Sequence, residues 1–124
     1  MELIIRNTTN QPIYEQIFEQ IKAQILSGAL HPGDALPSIR ALAKDLKISV
    51  ITTKRAYEEL ERDGFLENVP GKGCFVAPQN RELLREAQLR RVEEKLTQAI
   101  EEARRGAVSL EELKEMLTEL YQEV

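Results

Sequence analysis

One continuous stretch, Leu36 to Val76, constrains this chain more than any other. It opens with Leu36-Pro37-Ser38-Ile39-Arg40, where Ser38 can cap a short helix that turns Ile39, Leu42, Ala43 and Leu46 inward. Lys47-Ile48 makes a turn. Ser49 then caps a second helix, which runs to about Asp63 and buries Ala56, Tyr57 and Leu60. Gly64 suits the left-handed position that terminates such a helix. Phe65-Leu66-Glu67-Asn68-Val69 and Cys74-Phe75-Val76 read as two strands around Pro70-Gly71-Lys72-Gly73. Two helices across a tight turn, followed by a small hairpin, make a winged helix-turn-helix.

The flanks complete the organisation. Leu3-Ile4-Ile5 reads as an edge strand, and Thr8-Thr9-Asn10 offers cap residues before Pro12, which suits a first helical turn. The helix that follows places Ile13, Ile17, Ile21 and Ile25 on one face, with Phe18 and Leu26 widening the stripe and Ser27-Gly28 ending it. Leu30-His31-Pro32-Gly33-Asp34 is a turn. From about Asn80 the period becomes purely helical. Leu89, Val92, Leu96, Ala99, Ile100 and Ala103 form one stripe, and Gly106 stops that helix. Ser109 and Glu112 form a capping box for a last helix, whose stripe is Leu110, Leu113, Leu117 and Leu120 with Met116 and Tyr121 beside it. Two amphipathic helices on a short turn cannot bury both faces alone; they need the first domain or a second chain. The expected architecture is mainly α with a small β wing: a winged helix-turn-helix domain over residues 1–78, then a two-helix dimerisation tail over 79–124.

Bulk properties exclude several classes. No apolar run approaches the roughly 20 residues of a membrane span, and the start of the chain lacks a signal-peptide pattern. One cysteine excludes an intrachain disulfide and a Cys-rich zinc site, and one histidine argues against a His-based metal or catalytic cluster. No nucleophile–base set, carboxylate pair or phosphate-cradling glycine loop is visible, so an enzyme is not expected, nor a cofactor or metal. A cytoplasmic location fits these features.

The net charge is −4. Its distribution matters more than its sum. From Ser38 to Arg55 there are Arg40, Lys44, Lys47, Lys54 and Arg55 against Asp45 alone, a local surplus of four. From Asn80 onward, eleven acidic residues outnumber eight basic ones. Positive charge therefore gathers where a helix-turn-helix meets DNA.

At these residues the chain resembles the GntR family of bacterial transcription regulators. The resemblance spans roughly residues 10 to 77. It rests on Gly28-Ala29-Leu30-His31-Pro32-Gly33, Leu36-Pro37-Ser38-Ile39-Arg40, Arg55-Ala56-Tyr57 and Gly71-Lys72-Gly73. The short two-helix tail is similar to the YtrA-type branch of that family. The resemblance implies a homodimeric operator-binding protein, usually a repressor, of a branch often associated with operons for ABC transporters. It also implies DNA contacts at Arg40 and Arg55. Where some branches place an arginine early in the recognition helix, this chain has Val50 and Ile51, and Cys74 stands where threonine is common.

The DNA-binding set is therefore Ser38, Arg40, Ser49, Val50, Ile51, Thr52, Thr53, Lys54, Arg55, Gly71, Lys72 and Gly73. Base readout would lean on methyl contacts to thymine and on Thr52, Thr53 and Lys54. Each assignment has a plainer rival. Ser49 can be only a cap, Val50 and Ile51 can be core, Arg55 can bridge to Glu58 or Glu59, and Lys72 can tip a solvated hairpin. Cys74 is either a packing residue or a redox switch. The dimer set is Leu89, Val92, Leu96, Ile100, Leu110, Leu113, Leu117 and Leu120. The partners expected are a double-stranded DNA operator and a second copy of the chain. An unknown small-molecule effector, if there is one, would act at an interdomain or dimer crevice. The competing function is a winged-helix module that binds another protein without specific DNA binding; salt dependence separates the two.

Overall fold

The computed structural model describes residues 1–123. Five helices and one hairpin follow in the order α1 (Ile13–Leu26), α2 (Ile39–Leu46), α3 (Val50–Arg62), β1 (Leu66–Val69), β2 (Gly73–Val76), α4 (Arg81–Arg105) and α5 (Leu110–Glu123). The chain divides into two compact units, Met1–Leu84 and the part from Arg85 onward.

The core of the first unit is built where the periodicity places it. Ile17, Phe18, Ile21 and Ile25 of α1 pack with Leu42 of α2, with Ala56, Tyr57 and Leu60 of α3, and with Phe65, Leu66 and Val76 of the hairpin. Ile13, Ile39, Leu46 and Leu84 are partly buried against that cluster. Phe18 meets Phe65 edge-on with ring centroids 6.3 Å apart, and Lys22 Nζ lies 5.9 Å from each ring centroid. Leu26 is the exception in its helix. It stays 56 % exposed although Ile25 beside it is buried, because one helical residue turns the side chain about 100° away from the core face.

The N-terminal arm departs from expectation. Leu3-Ile4-Ile5 forms no strand; its backbone is held by glutamine side chains of α1 instead. Gln20 Oε1 accepts from Ile4 N at 2.8 Å, and Gln20 Nε2 donates to Ile4 O. Gln16 repeats the pattern two residues on: Oε1 accepts from Arg6 N at 2.8 Å, and Nε2 donates to Arg6 O at 2.9 Å. Gln24 Nε2 donates to Glu2 O at 2.8 Å. Four helical residues rise about 6 Å and two extended residues about 6.6 Å, so amides at every fourth helical position match alternate residues of an extended arm. Side-chain amides thus stand in for the missing neighbouring strand, and Leu3 and Ile5 turn toward the core.

Helix starts also refine the reading. The N-cap of α1 is Pro12, without a side-chain cap; Pro12 O accepts from Glu15 N and Gln16 N. Thr8-Thr9-Asn10 therefore does not cap α1. Ser38 and Ser49 do cap α2 and α3. The hairpin is antiparallel with Leu66 opposite Val76 and Val69 opposite Gly73. A third backbone segment joins it on the far side of β2. Leu36 N donates to Cys74 O, Val76 N to Asp34 O, and Gly33 N to Val76 O. Ala35 bridges to Phe75, which extends the turn at residues 30–34 into a short sheet edge.

In the second unit, α4 ends at Arg105. The left-handed residue of its terminus is Ala107 (φ 56°) rather than Gly106, and Val108 N closes onto Ala103 O. The capping box at Ser109 and Glu112 is reciprocal: Glu112 N donates to Ser109 Oγ, and Ser109 N donates to Glu112 Oε1, each at 3.2 Å. Ala103 is buried. Leu89, Val92, Leu96 and Ile100 are 43–49 % exposed, and Leu110, Leu117 and Leu120 are 54–63 % exposed. Leu113 is half-buried. Among the described residues, no helix is long and apolar enough to cross a membrane.

Candidate nucleic-acid interface

The turn between α2 and α3 fixes how the second helix is presented. Lys47 adopts φ 56°, a left-handed conformation that a non-glycine residue takes at some cost. That conformation lets Ile48 N donate to Ala43 O at 3.0 Å, which closes α2 as the chain enters the cap of α3. Tyr57 ties the two helices from the other side: its hydroxyl donates to Pro37 O at 2.8 Å. Burial, with a smaller contribution from Cys74, pushes the Tyr57 phenol well above its ordinary pKa.

At the start of α3 the hydroxyls are already engaged. Ser49 Oγ accepts from Thr52 N at 3.0 Å and donates to Thr52 Oγ1 at 2.7 Å. Thr53 is fully buried and donates to Ser49 O at 3.1 Å. Thr53 therefore leaves the solvent-facing set, because its position on the helix points into the unit. The sequence pattern missed this, since a threonine among polar neighbours carries no apolar signal. Val50 and Ile51 do the opposite: they are 45 % and 81 % exposed, so core packing does not account for them.

The cationic side chains lie on exposed positions of the same unit. Arg40 is the second residue of α2, two positions after the Ser38 cap, whose Oγ accepts from Ala41 N at 3.1 Å. Lys54 lies 3.7 Å from Glu58, both exposed, a contact of little energetic weight. The Arg55 guanidinium stacks on the ring of Tyr14 at the start of α1. Nothing in the sequence spacing foreshadows that pair, because the two residues lie on different helices.

The wing turns on Gly71 (φ 77°) and Gly73 (φ 116°), with Lys72 N donating to Val69 O at 2.9 Å between them. Lys72 is exposed at the tip. A cleft of about 460 Å³ brings the three elements together, lined by Ser38 and Arg40 of α2, Lys54 and Tyr57 of α3, and Gly73 and Cys74 of β2. Cys74 is half-buried, and burial together with the charge of Glu61 pushes its thiol up, against the thiolate that redox chemistry requires. His31 stays a turn residue: its backbone N donates to Asp34 Oδ2 at 2.8 Å. Among the described residues, no group of three His, Cys, Asp or Glu side chains could hold a metal ion.

A capped helix presented across a tight turn, a cationic helix N-terminus beside it and a glycine-hinged lysine on a wing together define a winged helix-turn-helix transcription regulator. The chain belongs to the GntR family of bacterial regulatory proteins, whose model matches residues 13–76. It is 38 % identical over 116 residues to the HTH-type transcriptional repressor YtrA of Bacillus subtilis (strain 168), covering 94 % of this chain and 89 % of that one. Its fold is similar to YtrA from Sulfolobus acidocaldarius, a GntR-family transcription factor, with a TM-score of 0.59, 33 % identity and 98 % of each chain covered. It is also similar to the AraR DNA-binding domain solved in complex with operator ORX1, with a TM-score of 0.54 and 29 % identity over 62 % of this chain and 96 % of that one. These relatives are transcription regulators, not enzymes.

Proposed function

We propose that the chain is a homodimeric repressor that occupies a DNA operator with two half-sites related by two-fold symmetry. The observation that carries this reading is the apolar stripe of the second unit, Leu89, Val92, Leu96 and Ile100, left nearly half exposed on a single chain. Covering each such side chain contributes on the order of 1 kcal/mol, so a second copy of the same stripe is a favourable and self-complementary partner. Arg40, Ser49, Lys54 and Arg55 would then meet the phosphates and base edges of one major groove, with Ser38 and Thr52 at the flanking helix N-termini. Gly71, Lys72 and Gly73 would approach the neighbouring minor groove or backbone. Winged-helix DNA-binding and tail-dimerisation segments would divide near residue 78. The likeness to a transcriptional repressor over nearly the whole chain supports repression, and the resemblance to the YtrA-type branch adds an operon of ABC transporter genes as the proposed target. A cytoplasmic location follows from that role.

Fluorescence anisotropy against the promoter of the chain's own operon, over a salt series with an unrelated duplex as competitor, tests the reading. Competitor-resistant binding that weakens steeply with salt, by a species whose light-scattering mass is twice that of the chain, is the expected result. Salt-independent binding, or a monomer in the bound complex, would overturn it.

A further inference from the structure

The leading edge of α3 offers DNA very little polar chemistry. Its three hydroxyls are engaged locally: Ser49 Oγ accepts from Thr52 N and donates to Thr52 Oγ1, and the buried Thr53 hydroxyl donates to Ser49 O. What stands clear of the surface is Ile51, the second residue of the helix, 81 % exposed with Val50 beside it at 45 %. Leaving a β-branched aliphatic side chain in water at this position is unfavourable by itself, and nothing else in the first unit covers it. In a helix-turn-helix the first residues of the recognition helix meet base edges in the major groove. The apolar feature of that groove is the 5-methyl group of a pyrimidine.

We infer that Ile51 is a specificity-determining residue, reading a pyrimidine 5-methyl group in each operator half-site by apolar contact. The inference rests on the operator-binding reading above. It assigns discrimination to a methyl group rather than to the threonine hydroxyls. The cationic side chains Arg40, Lys54 and Arg55 supply affinity with less dependence on sequence.

The test begins with selection of preferred duplexes from a random library by the full-length chain. Each thymine of the selected half-site is then replaced by deoxyuridine, which removes the methyl group and keeps the base pair. One position is expected at which uracil weakens binding by about fourfold for each half-site, the worth of burying one methyl group. Ile51→Ala is expected to bind the thymine and uracil duplexes equally while keeping the salt slope and the thermal stability of the parent, since the side chain supports no core. A second arm compares cytosine with 5-methylcytosine at each cytosine of the site. Sensitivity there, abolished by Ile51→Ala, would assign the methyl group to a modified cytosine instead of thymine. A selected operator indifferent to every methyl group, or one whose methyl sensitivity survives Ile51→Ala, would overturn the inference while leaving the regulator reading intact. A selection that returns no preferred sequence would overturn the operator-binding reading itself.

Discussion

The guanidinium of Arg55 lies over the ring of Tyr14, its central carbon 3.7 Å from the ring centroid, joining the exposed side of α3 to the start of α1. An arginine on a helix surface samples many rotamers, and holding one of them for a phosphate or guanine costs entropy at binding. Stacking on a half-buried ring meets part of that cost in advance. Tyr14→Leu keeps apolar packing against the core but removes the π face. It is expected to weaken operator binding about two- to fivefold, in line with about 0.5–1 kcal/mol for an exposed cation–π pair. Tyr14→Phe keeps the ring and should bind as the parent does. Equal losses in the two variants would mean that Tyr14 acts through its hydroxyl, and no loss in either would detach it from DNA binding.

The glutamine clamp on the N-terminal arm should be graded along α1. Gln16 is buried and bonds three backbone groups, Arg6 N, Arg6 O and Gln11 O, whereas Gln24 makes one exposed bond to Glu2 O. Removing the Gln16 amide breaks three part-buried bonds at once, at about 1–3 kcal/mol, whereas the loss at an exposed bond is within about 0.5 kcal/mol. Gln16→Ala is expected to lower Tm by several degrees and Gln24→Ala hardly at all. Thermal denaturation of the two variants in parallel checks the order; equal effects would show that the arm is not held by this ladder.

Stability should fall on the alkaline side. The Tyr57 phenol and the Cys74 thiol both hold their protons more tightly in the folded chain than in the unfolded one. Their contribution is complete below the unfolded pKa values, about 8.5 for a thiol and 10 for a phenol. It is lost as pH rises from those values through the higher folded ones, because the unfolded chain releases the protons first. Urea midpoints measured from pH 7 to 11 should therefore decline above about pH 9. Tyr57→Phe should cost about 1 kcal/mol at neutral pH through the lost bond to Pro37 O and should show a shallower alkaline decline. A decline of the same steepness in Tyr57→Phe and Cys74→Ser would place its cause elsewhere.

Much of the fold was legible because its signals are local. Ser38, Ser49 and Ser109 announce helix starts through a hydroxyl at a fixed offset from the helix, and Ile17, Ile21 and Ile25 announce a buried face through spacing alone. What escaped depends on partners distant in sequence. Gln16 and Gln20 look like ordinary surface residues until the arm returns to lie on them. Thr53 looks like a DNA contact until the packing of α3 turns it inward. Arg55 and Tyr14 are 41 positions apart, and no periodicity links them. The wing was legible from its glycines, but the bonds from Gly33 and Leu36 to β2 were not, since they pair a loop with a strand.

The tail offers the sharpest test of the assembly. Leu96 sits mid-way along α4 in the exposed stripe, 43 % exposed, so a charge there disturbs a single chain little. In a two-fold interface, the same substitution places an unpaired carboxylate on each side of a desolvated apolar seam, at a cost of several kcal/mol. Leu96→Asp is expected to give a monomer by light scattering, with the helical circular dichroism of the parent. Its operator affinity should drop by at least about a hundredfold, because one half-site must then be held alone. Leu113→Asp should act in the same direction but less cleanly, since Leu113 is already half-buried within one chain and its loss also strains the fold. Leu117, 54 % exposed on α5, separates the remaining alternatives. If Leu117→Asp dissociates the dimer as Leu96→Asp does, both helices build the interface. If only Leu96→Asp does so, α4 builds it alone. A dimer that survives both substitutions with full operator affinity would remove the tail from the interface.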